Sequence, residues 1–268
     1  MKKSENSKQT RGVKTILRVL DILESLGEDP NGLGLAEISA KIELPKSTVH
    51  RIVGALQERQ YIRESHSDGK YLLGYQVLNL AKSCLDTIDI LNNARPYLEA
   101  INKEFNETII LGVLDNIKFR IIYLDKIDTS HSLRSVSHIG ERAPVHCTAL
   151  GKAILSKFDE AEIREKFNNY ELRKFTENTI TDLDALIQNL KEINKIGYTV
   201  DREEYKPHVS CVAAPICGYL GRPIAALSVS VPTTRFSEER MEQIIHKVIE
   251  ACNEISKIAG FAMTREVW

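Results

Sequence analysis

The chain has 268 residues, of which 43% are hydrophobic and 27% charged, and its formal net charge is −1. This is an ordinary globular composition, and the length suits one large or two medium domains. No apolar run approaches the roughly 20 residues of a membrane span, and the near-zero net charge gives no bulk basicity of the kind that marks many nucleic-acid binders.

The first residues, MKKSENSKQTRG, are polar, and no apolar core follows their lysines, so they read as a flexible basic arm over 1–12 and not as a secretory signal. Lys2, Lys3, Lys8, Arg11, Lys14 and Arg18 are opposed there only by Glu5. Such a local basic run matters more than net charge for docking on phosphates. Val13 to Leu26 carries apolar residues at 13, 16, 17, 20, 23 and 26, which is a helical period. GEDPNG breaks that helix. Leu35 to Ile42 is a short second helix, and Pro45 suits the first turn of a third that runs to about Arg59. YIRES and KYLLG then read as two short strands around an Asp68-Gly69 turn.

The third helix divides on a wheel of about 100° per residue. Val49, Ile52, Val53 and Leu56 form the stripe that must pack inward. Ser47, His50, Arg51 and Gly54 face away, flanked by Lys46 and Thr48. Near the helix start this outward set has no acid, and Lys46, Ser47, Thr48, His50 and Arg51 can all donate hydrogen bonds to a phosphate or a base edge. The bland alternative is a solvated bundle face. The preceding short helix, the tight turn and the two-stranded wing with Arg63, His66 and Lys70 favour a winged helix-turn-helix over 13–74. Double-stranded operator DNA is then its partner, contacted through Lys46, Ser47, Thr48, His50 and Arg51, with Arg11, Lys14 and Lys70 beside the groove.

Tyr75 to about Ile90 is helical, with Leu78, Ala81, Leu85 and Ile88 on one stripe, and reads as a stiff linker over 75–92 that joins a homodimer contact. Two reading heads are expected because one small module offers limited area and dimers read two half-sites. Pro96 opens or interrupts the next helix, Arg95 to Phe105. From Thr108 the pattern turns to strands: TIILGVL and FRIIYLDKI flank DNIK, and HSLRSVSHI follows. HCTALGKAILSKF, DEAEIREKF and DLDALIQNLKEINKI are helical, with Gly197 placed as a C-terminal cap. YTVDREEY, VSCVAAPIC and PIAALSVSV are strands. SEERMEQIIHKVIEACNEISKIAG closes the chain as a helix with Ser237 as N-cap. The result is an α+β domain over 93–262 with one central antiparallel sheet, and a tail over 263–268.

Ser228 and Ser230 lie at i and i+2 and so project from one face of an apolar strand. Cys211 sits among Val209, Ala213 and Ala214 on a neighbouring strand. These small side chains leave room for a cavity, free N–H groups at Ala149 and Leu150 suit a carboxylate, and Asp201 can accept a hydroxyl. Each residue also has a bland reading as locally satisfied core. The five cysteines are odd in number and widely spaced, which fits reduced thiols in a cytoplasm. Cys211 and Cys217 are an unusual spacing for zinc, and neither a metal nor a cofactor is expected. Cys211, Asp201 and His208 could suggest a thiol hydrolase, but apolar surroundings raise a thiol pKa. No phosphate loop, dinucleotide fingerprint or HExxH occurs, so no enzyme is expected.

TILRVLDILESLG, GLAEISAKIELPKSTVHRIVGALQERQYI and GKYLLG resemble the DNA-binding domain of the IclR-type transcriptional regulators. YLDKID, APVHCTALGKAIL, GYTVDREEY, VSCVAAPI and AALSVSVP resemble that family's effector-binding domain, in the same order, so the likeness covers residues 12–260. It implies a winged helix-turn-helix joined by a linker helix to a GAF/PAS-like sheet. It also implies a cytoplasmic dimer or dimer of dimers, with repression as the favoured output, and no membrane. The implied effector is a small carboxylate, a keto acid or sugar acid, held at Ala149, Leu150, Asp201, Cys211, Ser228 and Ser230. PTTRFSEER is similar to members that answer 2-keto-3-deoxygluconate. At His208 the chain departs from the commoner pattern, where glycine is frequent. A ligand-sensing domain without specific DNA binding is the competing reading.

Overall fold

A computed structural model describes residues 2–65, 68–86, 89–133, 137–218 and 220–260, with side chains from Lys14 onward except at 82–86 and 89. The chain divides into two compact units, Met1–Ile88 and Asp89–Trp268.

The first unit begins with α1 (Lys2–Glu28). Its helix therefore reaches back over the stretch expected to be an irregular arm. Lys, Glu, Gln, Ser and Arg are compatible with a helix, and the single Gly12 costs only about 1 kcal/mol there. The apolar period is only partly inward: Ile22 and Leu26 are buried, whereas Ile16, Leu17 and Leu20 are exposed. α2 (Leu35–Lys41) and α3 (Lys46–Glu58) are joined by a turn in which Glu43 takes φ 53°. β1 (Ile62–Glu64) and β2 (Tyr71–Leu73) pair antiparallel as the wing. Leu33 adds a bridge to Tyr71, with N–H···O distances of 3.0 and 2.9 Å, a third wing strand the sequence pattern did not announce. Val49, Ile52, Val53 and Leu56 are buried with Ile22, Leu26, Ile38 and Ile62, as the wheel requires. Each such side chain contributes about 1.5–3 kcal/mol. α4 (Gln76–Asp86) follows, with Leu78 66% exposed and Ala81 also exposed. The side chain of Leu85 and all of Ile88 lie outside the described residues.

The second unit opens with α5 (Asp89–Phe105), which starts before Arg95 and has Pro96 inside it. A proline there forfeits one backbone bond, and burial of Ala94, Leu98 and Ile101 along the same helix offsets it. β3 (Thr108–Asp115), β4 (Arg120–Ile127), β5 (Arg142–Pro144), β6 (Thr199–Arg202), β7 (Val209–Cys217) and β8 (Pro223–Pro232) form one antiparallel sheet in the order β5-β4-β3-β8-β7-β6. β5 was not expected. The described part of His131–Ile139, read as a strand, forms bends and turns, and the pairing edge goes instead to Arg142–Pro144 against Arg120–Ile122.

One sheet face is covered by α5 and α9 (Glu238–Ile258) and the other by α6 (Ala149–Leu155), α7 (Glu160–Phe167) and α8 (Leu183–Ile196). The alternation along β8 decides what each face receives. Leu227, Val229 and Val231 point toward α5 and α9, while Ala226, Ser228 and Ser230 share the opposite face. Gly197 closes α8 at φ 83°, and Ser237 Oγ accepts from Arg240 N to cap α9, both as expected.

Candidate functional site

On α3 the outward residues are those the wheel assigns. Lys46, Ser47, His50, Arg51 and Gly54 are exposed and Thr48 is half-buried. The first turn has no acid. Among the described residues, Lys46, His50 and Arg51 have no carboxylate partner, so their charges and donors are not spent within the fold. Lys70 is half-buried in the wing, beside an Asp68 whose carboxyl is held below its usual range by hydrogen bonds from Ser65 and from the Lys70 backbone. Arg63 lies 5.9 Å over the Tyr75 ring. Lys14 is exposed on α1. The side chain of Arg11, and His66, lie outside the described residues.

The second unit holds a narrow cleft between the sheet and the start of α6. Its floor is Ile110, Asp201, Val209, Cys211, Ser228 and Ser230, and Thr148, Ala149 and Leu150 close one side. All six residues expected to hold an effector thus line a single cavity. Strand register explains this. Asp201 is paired with Cys211, Cys211 with Ser230, and Ser230 with Thr108, so one row across four strands points the same way. Ser228 lies one step along, between Ala213 and Ile110. Alanine and serine at these positions fill less space than Val or Leu would, and the cleft is the result.

The cradle at α6 is built by two residues. Thr148 Oγ1 donates to Pro144 O at 2.6 Å and accepts from Gly151 N at 3.2 Å. That cap uses the third N–H of the helix and leaves those of Ala149 and Leu150 without helical partners. A Cβ on Gly151 would stand 2.2 Å from Val145 O, so only glycine lets the helix lie this close to the preceding strand.

Behind the cradle, Lys152 is 1% exposed in an otherwise apolar helix and pairs with Glu204. Burial raises the Glu204 pKa and Lys152 offsets it. Asp201 is buried with one oxygen accepting from Glu204 N at 2.7 Å. Burial first, and the Glu204 charge second, push its pKa up to about 7. Cys211 Sγ donates to Ser230 Oγ at 3.3 Å, and burial pushes its thiol up to about 12. That is the wrong direction for a nucleophile. The base such a nucleophile would need, His208, has a side chain 90% exposed and is no lining residue of the cleft. At this departure from the commoner pattern the backbone takes φ 62°, a conformation glycine adopts freely, and His208 N is held by Glu203 Oε2 at 2.7 Å. Among the described residues no cluster of His, Cys, Asp and Glu is placed to hold a metal. Cys217 instead donates its N–H to Ser256 Oγ on the other face of the sheet.

Sequence reasoning missed Tyr123, Ser137, Tyr205 and Lys206 on the cleft wall. Tyr123 projects from β4, whose turn to β3 was legible but not which of its side chains reach the cleft, and the others lie in irregular segments where no period applies. The buried lysine was legible in principle, as one charge in ALGKAIL.

Comparison with known proteins gives matches to both units. Residues 15–66 match the family described as IclR helix-turn-helix domain, and residues 82–257 match bacterial transcriptional regulator IclR C-terminal. The transcriptional regulator KdgR of Escherichia coli K12 is 34% identical over 261 residues, covering 97% of this chain and 98% of that protein. The transcriptional repressor IclR of the same organism is 28% identical, over 94% of this chain and 92% of its own length. The solved structure of Thermotoga maritima IclR is similar at 30% identity and a TM-score of 0.76, covering 93% of this chain and all of that one.

Proposed function

We propose, starting from the fact that the chain belongs to the IclR family of bacterial transcriptional regulators, a division of labour between its two units. α3 reads operator DNA in the major groove through Lys46, Ser47, Thr48, His50 and Arg51, with Lys14, Lys70 and Arg11 on the backbone. The cleft takes a small organic acid whose binding changes operator affinity. The observation that carries the DNA reading is the division of α3 itself: four buried aliphatics on one side, and an acid-free set of unspent donors on the other. Phosphate contacts position such a helix and base contacts give it specificity. Arg51→Ala lowers specific operator affinity by about 1–3 kcal/mol if the guanidinium meets a guanine edge. Binding to the DNA upstream of its own operon, measured across a salt series, checks this. Unchanged affinity and sequence preference would remove Arg51 from the reading set, and a flat salt response would argue against phosphate contacts altogether.

The effector is a sugar acid of the 2-keto-3-deoxygluconate type. Its carboxylate lies at the Ala149 and Leu150 N–H groups, and its hydroxyls meet Ser228, Ser230 and Asp201. Two proteins named KdgR, from Escherichia coli and Dickeya chrysanthemi, are 34% and 33% identical to this chain, which supports the subgroup. So does a cleft whose walls bring together hydroxyls of Tyr123, Ser137, Tyr205, Ser228 and Ser230. A Ser228→Ala/Ser230→Ala variant keeps operator binding and loses about 1–3 kcal/mol of effector affinity, at about 0.5–1.5 kcal/mol per hydrogen bond. Thermal shifts with 2-keto-3-deoxygluconate, pyruvate and 4-hydroxybenzoate measure it, and a normal response in the variant would place the effector elsewhere. The protein acts in the cytoplasm as a repressor, in a homodimer or a dimer of dimers. Exposed Ile16, Leu17 and Leu20 on α1, and Tyr75, Leu78 and Leu80 at α4, offer apolar surface for the dimer contact.

A further inference from the structure

A second concavity of the sensor unit, outside the cleft, is an open groove between β4, β5 and the segment 169–175. Four cations, Lys118, Arg120, Arg142 and Arg173, line it against one acid, Glu171. Arg142 is engaged by Asp115 at 3.3 Å. Arg120 and Arg173 are not so engaged: among the described residues neither has a carboxylate within ion-pair distance. Their guanidinium faces are occupied instead. Arg120 stacks 4.8 Å over the Tyr170 ring and Arg173 lies 5.4 Å over Phe175. Stacking fixes the plane of a guanidinium. Arg120 also donates one Nη to Phe119 O at 3.3 Å, and its remaining N–H groups can bond a carboxylate or phosphate.

The platform under these two arginines is rigid. Tyr170 packs edge-on against Phe119 and Phe167, at centroid distances of 5.3 and 5.0 Å. Its hydroxyl is 3.3 Å from His146 Nδ1, and His146 Nε2 is 3.0 Å from Arg173 O. A carbonyl oxygen only accepts, so Nε2 carries the hydrogen and Nδ1 accepts from the tyrosine. Burial pushes the His146 pKa down, which keeps the imidazole neutral and the two bonds in this sense. One buried side chain thereby anchors both the ring under Arg120 and the backbone of Arg173. Like charges gathered on a fixed support, with fewer acids than cations, repel one another unless an anion joins them.

We propose that this groove is a second anion site, distinct from the effector cleft, that binds a pyrophosphate-bearing small molecule. Two stacked guanidiniums, with Lys118 and Arg142 beside them, match several phosphate oxygens better than one carboxylate. Tyr205 lines both concavities and forms a wall between them, so both can be filled at once. The inference does not depend on which acid fills the cleft or which residues read the operator.

Inorganic pyrophosphate titrated into the full chain at constant ionic strength, followed by calorimetry, tests it. The wild type binds saturably. Arg120→Gln/Arg173→Gln binds at least tenfold more weakly, while Ser228→Ala/Ser230→Ala and Arg51→Ala bind as the wild type does. Should the first variant fold poorly, Lys118→Gln/Arg142→Gln, at the rim of the groove, is expected to weaken binding in the same sense. Parallel titrations with a sugar 1-pyrophosphate and a nucleoside diphosphate separate two natural sources of the group. No saturable binding by the wild type would overturn the proposal, as would equal affinity in the groove variants or loss of binding in Arg51→Ala.

Discussion

Asp201→Asn makes the chain more stable at pH 8, by up to about 4 kcal/mol, and flattens its stability between pH 4 and 7. The reasoning follows from where the proton sits. Asp201 is 4% exposed on the cleft floor, and its carboxyl is raised from 3.8 to about 7 by burial and by Glu204. In the unfolded chain the same group titrates near 3.9. Between these values the native state holds a proton that the unfolded state has released, so stability falls as pH rises, and the loss is complete above about pH 7. Three pKa units correspond to about 4 kcal/mol. Lys152 compensates Glu204, to which it is directly paired, and leaves the second carboxylate uncovered. Asparagine keeps an oxygen for the Glu204 N–H and carries no charge. Denaturant unfolding of both proteins at several pH values measures the difference, and parallel curves would show that Asp201 is not buried as described. On the proposed reading the variant also loses effector affinity, because an ionised carboxylate is the better acceptor for a ligand hydroxyl. A group that costs stability where a ligand binds is the usual form of the stability–function trade-off.

How far the sequence could be read depended on periodicity. The α3 wheel separated buried from exposed residues without error, because a helix that packs on one side must carry its aliphatics there. The i, i+2 spacing put Ser228 and Ser230 on one face for the same kind of reason. Register was not legible: no local rule says that Asp201 stands opposite Cys211, or Cys211 opposite Ser230, and the resemblance to the IclR family supplied that grouping. The edge strand Arg142–Pro144 was missed because three residues carry no period, and His131–Ile139 looked like a strand because its apolar residues are interspersed. The reach of α5 back before Arg95 was missed because Pro96 was given too much weight against the buried face of Ala94, Leu98 and Ile101. The buried charges at Glu204 and Glu107 were invisible for a different reason. A charged residue reads as solvated until its partner, tens of residues away, is known.

Glu107 shows this most clearly, and Arg235→Ala costs about 3–5 kcal/mol of stability through it. Glu107 is completely buried at the entrance to β3. Arg235, in the short 3-10 turn Thr233–Arg235 after β8, grips it with two bonds of 2.6 and 2.8 Å. Arg240 adds one of 3.2 Å and also reaches Phe105 O at 2.8 Å. Alanine at 235 removes both short bonds and leaves a buried carboxylate on one long arm, which is the costly way to break a buried pair. Arg235→Lys restores less than half of the loss, since an ammonium cannot make the paired bonds of the guanidinium. Glu107→Leu/Arg235→Leu is milder than Arg235→Ala alone, because no orphan charge remains. The position of this clamp gives it a second consequence. Glu107 precedes Thr108, Thr108 is paired with Ser230, and Arg235 lies within 3.4 Å of the Leu133 carbonyl. The cleft hydroxyl of Ser230 therefore hangs from a strand pair that this carboxylate helps to fix. PTTRFSEER, read from sequence only as a subgroup mark, carries both arginines. Chemical denaturation of the three variants gives the ranking, and an Arg235→Ala chain within about 1 kcal/mol of wild type would mean that water, not Arg235, satisfies Glu107.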